Sequence, residues 1–355
     1  ARRRNEFRYG DPRFLGTGNR LLGHFAATDR GAEYGALLNR PFYSYASPFS
    51  NLTSWARVQQ QETRYSNGDE ADSFLDDFRA VRGLAAWRLG SGEDFVHRAG
   101  VGWRYEQSRF SSLDTTVPGT LPADRTLSGP QLSYAVVEPR YLKATDIDRV
   151  NVIEDFNLGW ELGLEGGPLP RALGSDRDRW ALRGTLQRGL GVGSGRFGLV
   201  QAVADGREAH GHLENGIVTG ALNMFWETSL RYRQTLVTHA EYTAVKNLDG
   251  ERQLNLGGDT GLRGYKNDAF QGGRVALVNL EDRLFFSPDF FHLVYVGAAG
   301  FVEAGTAVPE GARFMGAPWK ADLGLGLRLS PSRGSSGSVL RIDVAYALSR
   351  GPGRS

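Results

Sequence analysis

Near the end of the chain the sequence reads Trp319-Lys320-Ala321-Asp322-Leu323-Gly324-Leu325-Gly326-Leu327-Arg328-Leu329. Apolar residues at 321, 323, 325, 327 and 329 alternate with Lys320, Asp322, Gly324, Gly326 and Arg328. A period of two sends successive side chains to opposite faces of an extended strand, so this segment has one apolar face and one face of charge and glycine. The pattern recurs. Leu158, Trp160, Leu162 and Leu164 alternate with Asn157, Gly159, Glu161, Gly163 and Glu165, and Leu340, Ile342, Val344, Tyr346 and Leu348 alternate with Arg341, Asp343, Ala345 and Ala347. No long segment carries apolar residues at helical spacing between capping residues.

Working outward, the alternation predicts strands at 18–28, 33–41, 52–64, 77–89, 95–109, 130–144, 152–165, 180–190, 195–205, 213–226, 228–243, 272–286, 291–304, 319–329 and 338–349. Turn residues separate many of them: Asn67-Gly68, Ser91-Gly92-Glu93-Asp94, Gly166-Gly167-Pro168, Asp205-Gly206, Asp249-Gly250 and Ser287-Pro288-Asp289. No linker or shift in composition divides the chain, so residues 1–355 read as a single all-β domain. A soluble sandwich and a membrane barrel both fit alternating strands. Three details favour the barrel: strands of ten or more residues, a polar face too charged for a simple solvent face, and aromatic residues at strand ends on the apolar face. The aromatics are Trp103, Tyr105, Tyr242, Phe286, Trp319 and Tyr346. Single-chain bacterial barrels close with an even number of strands, so with fifteen predicted either one segment is misread or one closing strand lies outside the chain. The Arg350–Ser355 tail, a turn with nothing after it, favours the second expectation.

Composition narrows the function. The 355 residues include 47 Gly and no Cys, with 42 basic and 40 acidic side chains and a net charge of +2. Apolar content is too high and net charge too small for disorder. Without Cys there is no disulfide scaffold, Cys-ligated zinc or thiol nucleophile. Basic residues are spread along the chain, which gives no nucleic-acid surface, and the one basic run, Arg2-Arg3-Arg4, reads as a frayed end. No signal peptide precedes the first strand. No run of eighteen apolar residues exists, so a membrane-spanning helix is excluded. A mean hydropathy of −0.37 would ordinarily suggest a soluble protein, but alternation hides a membrane barrel from any average.

One loop carries further information: Leu254-Asn255-Leu256-Gly257-Gly258-Asp259-Thr260-Gly261-Leu262-Arg263-Gly264-Tyr265. It lacks the Lys-Ser/Thr of a phosphate-binding loop and opens no helix. An ordinary glycine-rich surface loop is the plain alternative. Against that stand charges predicted to face inward in the next strands. Asn279, Glu281 and Arg283 share a parity opposite Val278, Leu280 and Leu284, and Phe301, Glu303 and Gly305 share one opposite Val294, Val296 and Val302. A carboxylate inside a narrow barrel needs a partner or water, and Arg263 on a loop folded into the lumen could give a bidentate one.

These stretches resemble a known family. Leu256–Tyr265, Asn279-Leu280-Glu281-Asp282-Arg283 and Phe301-Val302-Glu303-Ala304-Gly305 are similar to the barrel of the BamA/TamA/FhaC superfamily, the bacterial surface-antigen or Omp-eighty-five class. Gly10–Asn19 and Leu340–Ala345 fit as well, so the matches span nearly the whole chain in order. The resemblance implies a sixteen-stranded barrel in the Gram-negative outer membrane, with the sixth extracellular loop folded into the lumen. By motif, the loop contributes Leu262, Arg263, Gly264 and Tyr265. Arg263 is expected to pair with Glu303 in the Phe301/Gly305 strand, with Glu281, Arg283 and Asp343 as further inner-wall groups. Members insert other barrels or export passenger chains, and are thought to use a weak seam between first and last strands. Two departures stand out: no client-receiving POTRA domain is present in this chain, and no final strand closing on an aromatic residue follows Ser355.

The leading expectation is therefore an assembly or translocation barrel whose partners are outer-membrane lipid, an unfolded client or passenger chain and periplasmic accessory proteins. A membrane anchor for a fused or partner protein, such as a patatin-type lipase, and a passive pore are the competitors. Catalysis is not expected: there is no Gly-x-Ser-x-Gly elbow and the six His are scattered. His210-Gly211-His212 has no third ligand in view and reads as a turn, so no metal or cofactor is expected.

Overall fold

The computed structural model describes residues 3–90, 92–193, 195–228, 233–286, 290–332 and 339–351. The predicted Ser287-Pro288-Asp289 turn lies outside them, as do Arg2, Ser91, residue 338, the stretch 229–232 of the strand predicted at 228–243, and 352–355 of the terminal turn.

Within the described residues sixteen strands form one antiparallel sheet in chain order. They are β1 (Arg4–Asp11), β2 (Arg20–Thr28), β3 (Gly31–Arg40), β4 (Phe49–Ser66), β5 (Asp69–Leu89), β6 (Val96–Ser112), β7 (Arg125–Val137), β8 (Trp160–Leu169), β9 (Arg179–Gly193), β10 (Arg196–Ala209), β11 (His212–Thr228), β12 (Arg233–Lys246), β13 (Arg274–Phe285), β14 (Val294–Val308), β15 (Lys320–Pro331) and β16 (Leu340–Ala347). Every strand pairs with its sequence neighbours, and among the described residues no ladder joins β1 to β16.

The sixteenth strand is inside the chain, at the start rather than beyond the end. β1 lies partly in what reads as a frayed basic end, yet it pairs with β2 through Phe7↔Phe25. Its eight residues alternate Arg4, Glu6, Arg8 with Asn5, Phe7, Tyr9, and with only Phe7 and Tyr9 apolar the signal does not stand out. A second correction concerns 130–144 and 152–165. β7 ends at Val137 and β8 begins at Trp160; Tyr141–Thr145 and Ile153–Asn157 between them pair only with each other. This ribbon packs Leu142, Ala144 and Phe156 against Phe197, Phe225 and Val237, so its apolar residues reflect burial against the barrel's inner wall rather than a face toward lipid. Two predicted turns are strand instead. Gly166-Gly167-Pro168 lies in β8, and the Asp205–Arg207 step is an irregularity in the β10–β11 register, a common role of glycine inside strands. The true hairpin turn there is His210-Gly211, both residues at positive φ, as at Asn67-Gly68.

The faces are inverted relative to a soluble protein. Leu323, Leu325 and Leu327 of β15, Ile342 and Val344 of β16, and Val278 and Leu280 of β13 are exposed, with Val344 at 76%. Glu281, Glu303, Asp322 and Arg328 on the opposite faces are buried. Exposed aromatics share the outer face, including Trp103, Tyr242, Phe286, Trp319 and Tyr346. A surface built this way satisfies its backbone through ladders and presents hydrocarbon outward, which suits a bilayer. The sheet curls: the β4–β5 turn meets the connection between β12 and β13, with Lys266 Nζ 3.1 Å from Asp69 and the Asn67 amide donating to Gln271 at 3.1 Å.

Candidate functional site

The β12–β13 connection, residues 247–273, is the sixth at its end of the barrel, after those joining β2–β3, β4–β5, β6–β7, β8–β9 and β10–β11. Its stem is a short pairing of Asn255–Leu256 with Phe270–Gln271. Beyond the stem the chain folds on itself. The Leu262 amide donates to the Gly257 carbonyl at 2.9 Å, Tyr265 to Leu262 at 3.0 Å, and Gly258 to Lys266 at 3.1 Å. Leu262 and Tyr265 sink into an apolar cluster with Leu256, Ala269, Val275, Leu277 and Ala347. These contacts fix the segment against the inner face of β13–β16 and leave Arg263 directed at its charges.

Arg263 there meets three carboxylates from three strands. Its backbone amide donates to Glu303 Oε2 at 2.8 Å and its Nε to Glu303 Oε1 at 2.9 Å. Nη1 donates to Asp343 Oδ2 at 2.7 Å and Nη2 to Glu281 Oε2 at 3.0 Å. The guanidinium carbon also lies 3.4 Å from the centre of the Phe301 ring. Only a planar group with several fixed donors can face a carboxylate on each edge while stacking on an aromatic face. Gly324 makes room for that ring, since a side chain there would run into it.

The neighbours of Arg263 are themselves held. Glu303, 2% exposed, also accepts from Asn279 Nδ2 at 2.7 Å. Glu281 accepts from Arg283 Nε at 2.8 Å and Arg328 Nη2 at 3.1 Å. Arg328 also pairs with Asp343. Next to Arg263, the Gly264 amide donates to Asp322 Oδ2 at 3.0 Å. A β-carbon on Gly264 would stand 2.7 Å from Asp322 Cβ and 2.8 Å from the Ala347 nitrogen, so the close approach requires glycine. The Tyr265 hydroxyl reaches the Ala321 carbonyl at 3.0 Å and the Ser349 hydroxyl at 2.8 Å. Gly305 lies against Leu256 and Leu262.

The structure thus brings together all ten residues singled out from the sequence, with Arg283 joining through Glu281 rather than through Arg263. Two members escaped that reading. Asp322 and Arg328 are among the most buried side chains of the protein. The signal that could have found them is the alternation of 319–329, which sets both on the charged face. Chemically the cluster is a set of opposed charges that clamps a loop to a wall, with Asp322 Oδ1 and Arg328 Nε left without a hydrogen-bond partner.

No family model matches the sequence, and no curated protein matches it. Solved structures do. CdiB from Acinetobacter baumannii superposes with a TM-score of 0.50 at 10% identity, covering 97% of this chain and 57% of that one. The likeness is one of fold. CdiB from Escherichia coli gives 0.49 at 13% identity, covering 97% and 59%. BamA from Haemophilus ducreyi lacking POTRA domains 1–3 gives 0.45 at 12%, covering 98% and 70%. The chain therefore spans less than two thirds of the length of either CdiB.

Proposed function

We propose that this chain is the outer-membrane barrel of a factor that inserts or exports client polypeptides, with its lumen plugged by the loop that carries Arg263. The observation that carries the reading is Arg263 itself, held by Glu303, Glu281 and Asp343 from three separate strands. A loop clamped to the inner wall narrows the lumen, which argues against an open pore. That no ladder joins β1 to β16 among the described residues adds support, because an unpaired strand edge is the template on which an incoming strand can pair through its backbone. On this reading the end bearing the Arg263 loop faces the cell exterior, and the outward leucines and aromatics contact lipid. Binding of the client rests on main-chain pairing, which suits many sequences and needs no catalytic group.

The test is reconstitution. An unfolded outer-membrane barrel protein is diluted from urea onto lipid vesicles with or without this protein, and its folding is followed by protease resistance. Faster folding in the loaded vesicles is expected. An unchanged rate, with the protein itself folded in the vesicle membrane, would leave the membrane-anchor reading in its place.

A further inference from the structure

The β7–β8 connection, residues 138–159, is the longest at the end opposite the Arg263 loop, and one side of it is buried. Ile147 is 1% exposed, and Ala144, Asp146, Val150 and Glu154 are also buried, although they belong to no barrel strand. Its ribbon runs along the inner wall past β10 and β11 to β14. Phe156 lies 4.9 Å from Phe197 of β10 and 6.0 Å from Phe225 of β11, ring centre to ring centre. Asn151 Nδ2 donates to the Tyr295 hydroxyl of β14 at 2.6 Å, and Asn151 Oδ1 accepts from Arg233 of β12 at 2.7 Å. Glu154 holds the tip by accepting from the Asp148 amide at 2.9 Å and from Arg149 Nε at 3.2 Å. Tyr141 pairs with Tyr45 of the β3–β4 connection, whose Tyr43 donates to the Gly18 carbonyl of the β1–β2 connection at 2.6 Å. The ribbon's contacts therefore run from β14 back to the β3–β4 connection, which itself touches the β1–β2 connection.

The two inserted segments meet on one strand. Arg283 of β13 donates Nη1 to the Ile147 carbonyl at 2.7 Å and Nε to Glu281 at 2.8 Å, and Glu281 accepts from Arg263 at 3.0 Å. Arg263 and Ile147 thus lie on opposite sides of a single Glu281–Arg283 pair. A buried irregular segment in a membrane barrel is tolerated where protein walls satisfy its backbone, and here barrel side chains do so.

The geometry points to a second plug: the 138–159 ribbon closes the lumen at the end opposite the Arg263 loop, so passage requires both segments to move. The inference rests on reading the Arg263 loop as the first plug. A sixteen-stranded barrel without inserted segments would leave an aqueous channel, so planar-bilayer conductance reads the closure directly. Four proteins are compared: the unaltered chain, one with 256–270 replaced by a short Gly-Ser link, one with 141–157 so replaced, and one with both. The unaltered chain and each single replacement are expected to stay near baseline, and the double to conduct about tenfold more or beyond. If shortening 256–270 alone already gives the conductance of the double, or if all four conduct alike, the second plug is refuted. If shortening 141–157 alone gives it, the ribbon seals but the Arg263 loop does not, and the first plug fails separately. A second measurement needs no deletion. The chain has no native Cys, so Ile147→Cys can be probed with a membrane-impermeant maleimide against the exposed control Val117→Cys. Protection of position 147 in the folded protein is expected, with labelling restored in urea. Labelling as fast as at position 117 overturns the burial on which the inference stands.

Discussion

Arg263 concentrates several physical requirements in one side chain. Its pairing with Glu303, Glu281 and Asp343 takes place largely out of water, where a broken pair leaves an uncompensated charge. Glu303→Ala is accordingly expected to destabilise the barrel by about 3 kcal/mol or more, read as a fall in the denaturant midpoint in vesicles. Since Arg263 and Glu303 act as a pair, the double variant Arg263→Ala with Glu303→Ala should cost less than the sum of the singles. Arg263→Lys is expected to behave more like Arg263→Ala than like the native chain. One ammonium has neither the fork to engage three carboxylates nor the plane to stack on Phe301. Gly264→Ala should loosen the loop without removing any charge, through its clash with Asp322 and the β16 backbone. Faster proteolysis within 257–266, with the barrel's own heat resistance retained, is the outcome that distinguishes it from general misfolding.

At the level of strands, the sequence is read most safely where alternation is long and two-sided. β15 and β16 each alternate over eight or more residues, and parity alone sorts Leu325 from Asp322 and Val344 from Asp343. The same logic places Glu281 and Glu303 on the inner wall from the order of residues alone. It fails where alternation has another cause. The 141–157 ribbon alternates because it is buried on one side by Phe197 and Phe225, and period two does not tell lipid from lumen. It also fails where the apolar face is thin: β1 matches β16 in length but carries only Phe7 and Tyr9 on that face, against Leu340, Ile342, Val344 and Tyr346 in β16. Arg328 is legible as a charge on the inner face, but its two partners lie 47 and 15 positions away in sequence, in β13 and β16. No local pattern carries that pairing. A test of the outer face belongs to this scale. Leu325, 72% exposed at the middle of β15, should cost about 2–4 kcal/mol when changed to Arg in a bilayer. An unchanged denaturant midpoint would mean that β15 does not face hydrocarbon.

Across the whole molecule, the balanced charge, the abundance of glycine and the soluble-looking hydropathy follow from one arrangement. Charges line the interior in opposed pairs, glycines admit close backbone approaches such as those at Gly264 and Gly324, and the apolar side chains that would form a core are turned outward. The interior is consequently held by ion pairs, inserted segments and local apolar clusters rather than by one hydrophobic centre, and releasing the loop means breaking its polar contacts and unseating Leu262 and Tyr265 while the barrel ladders persist. The central claim, that the Arg263 loop is docked on Glu303, Glu281 and Asp343, is tested most directly by trypsin, which cleaves after arginine. In the folded, membrane-inserted protein the Arg263–Gly264 bond should resist cleavage, and in Glu303→Ala combined with Asp343→Ala it should be cut while the strands stay intact, as fragment masses would reveal. Cleavage at Arg263 in the unaltered protein at the rate seen in the double variant would contradict the account.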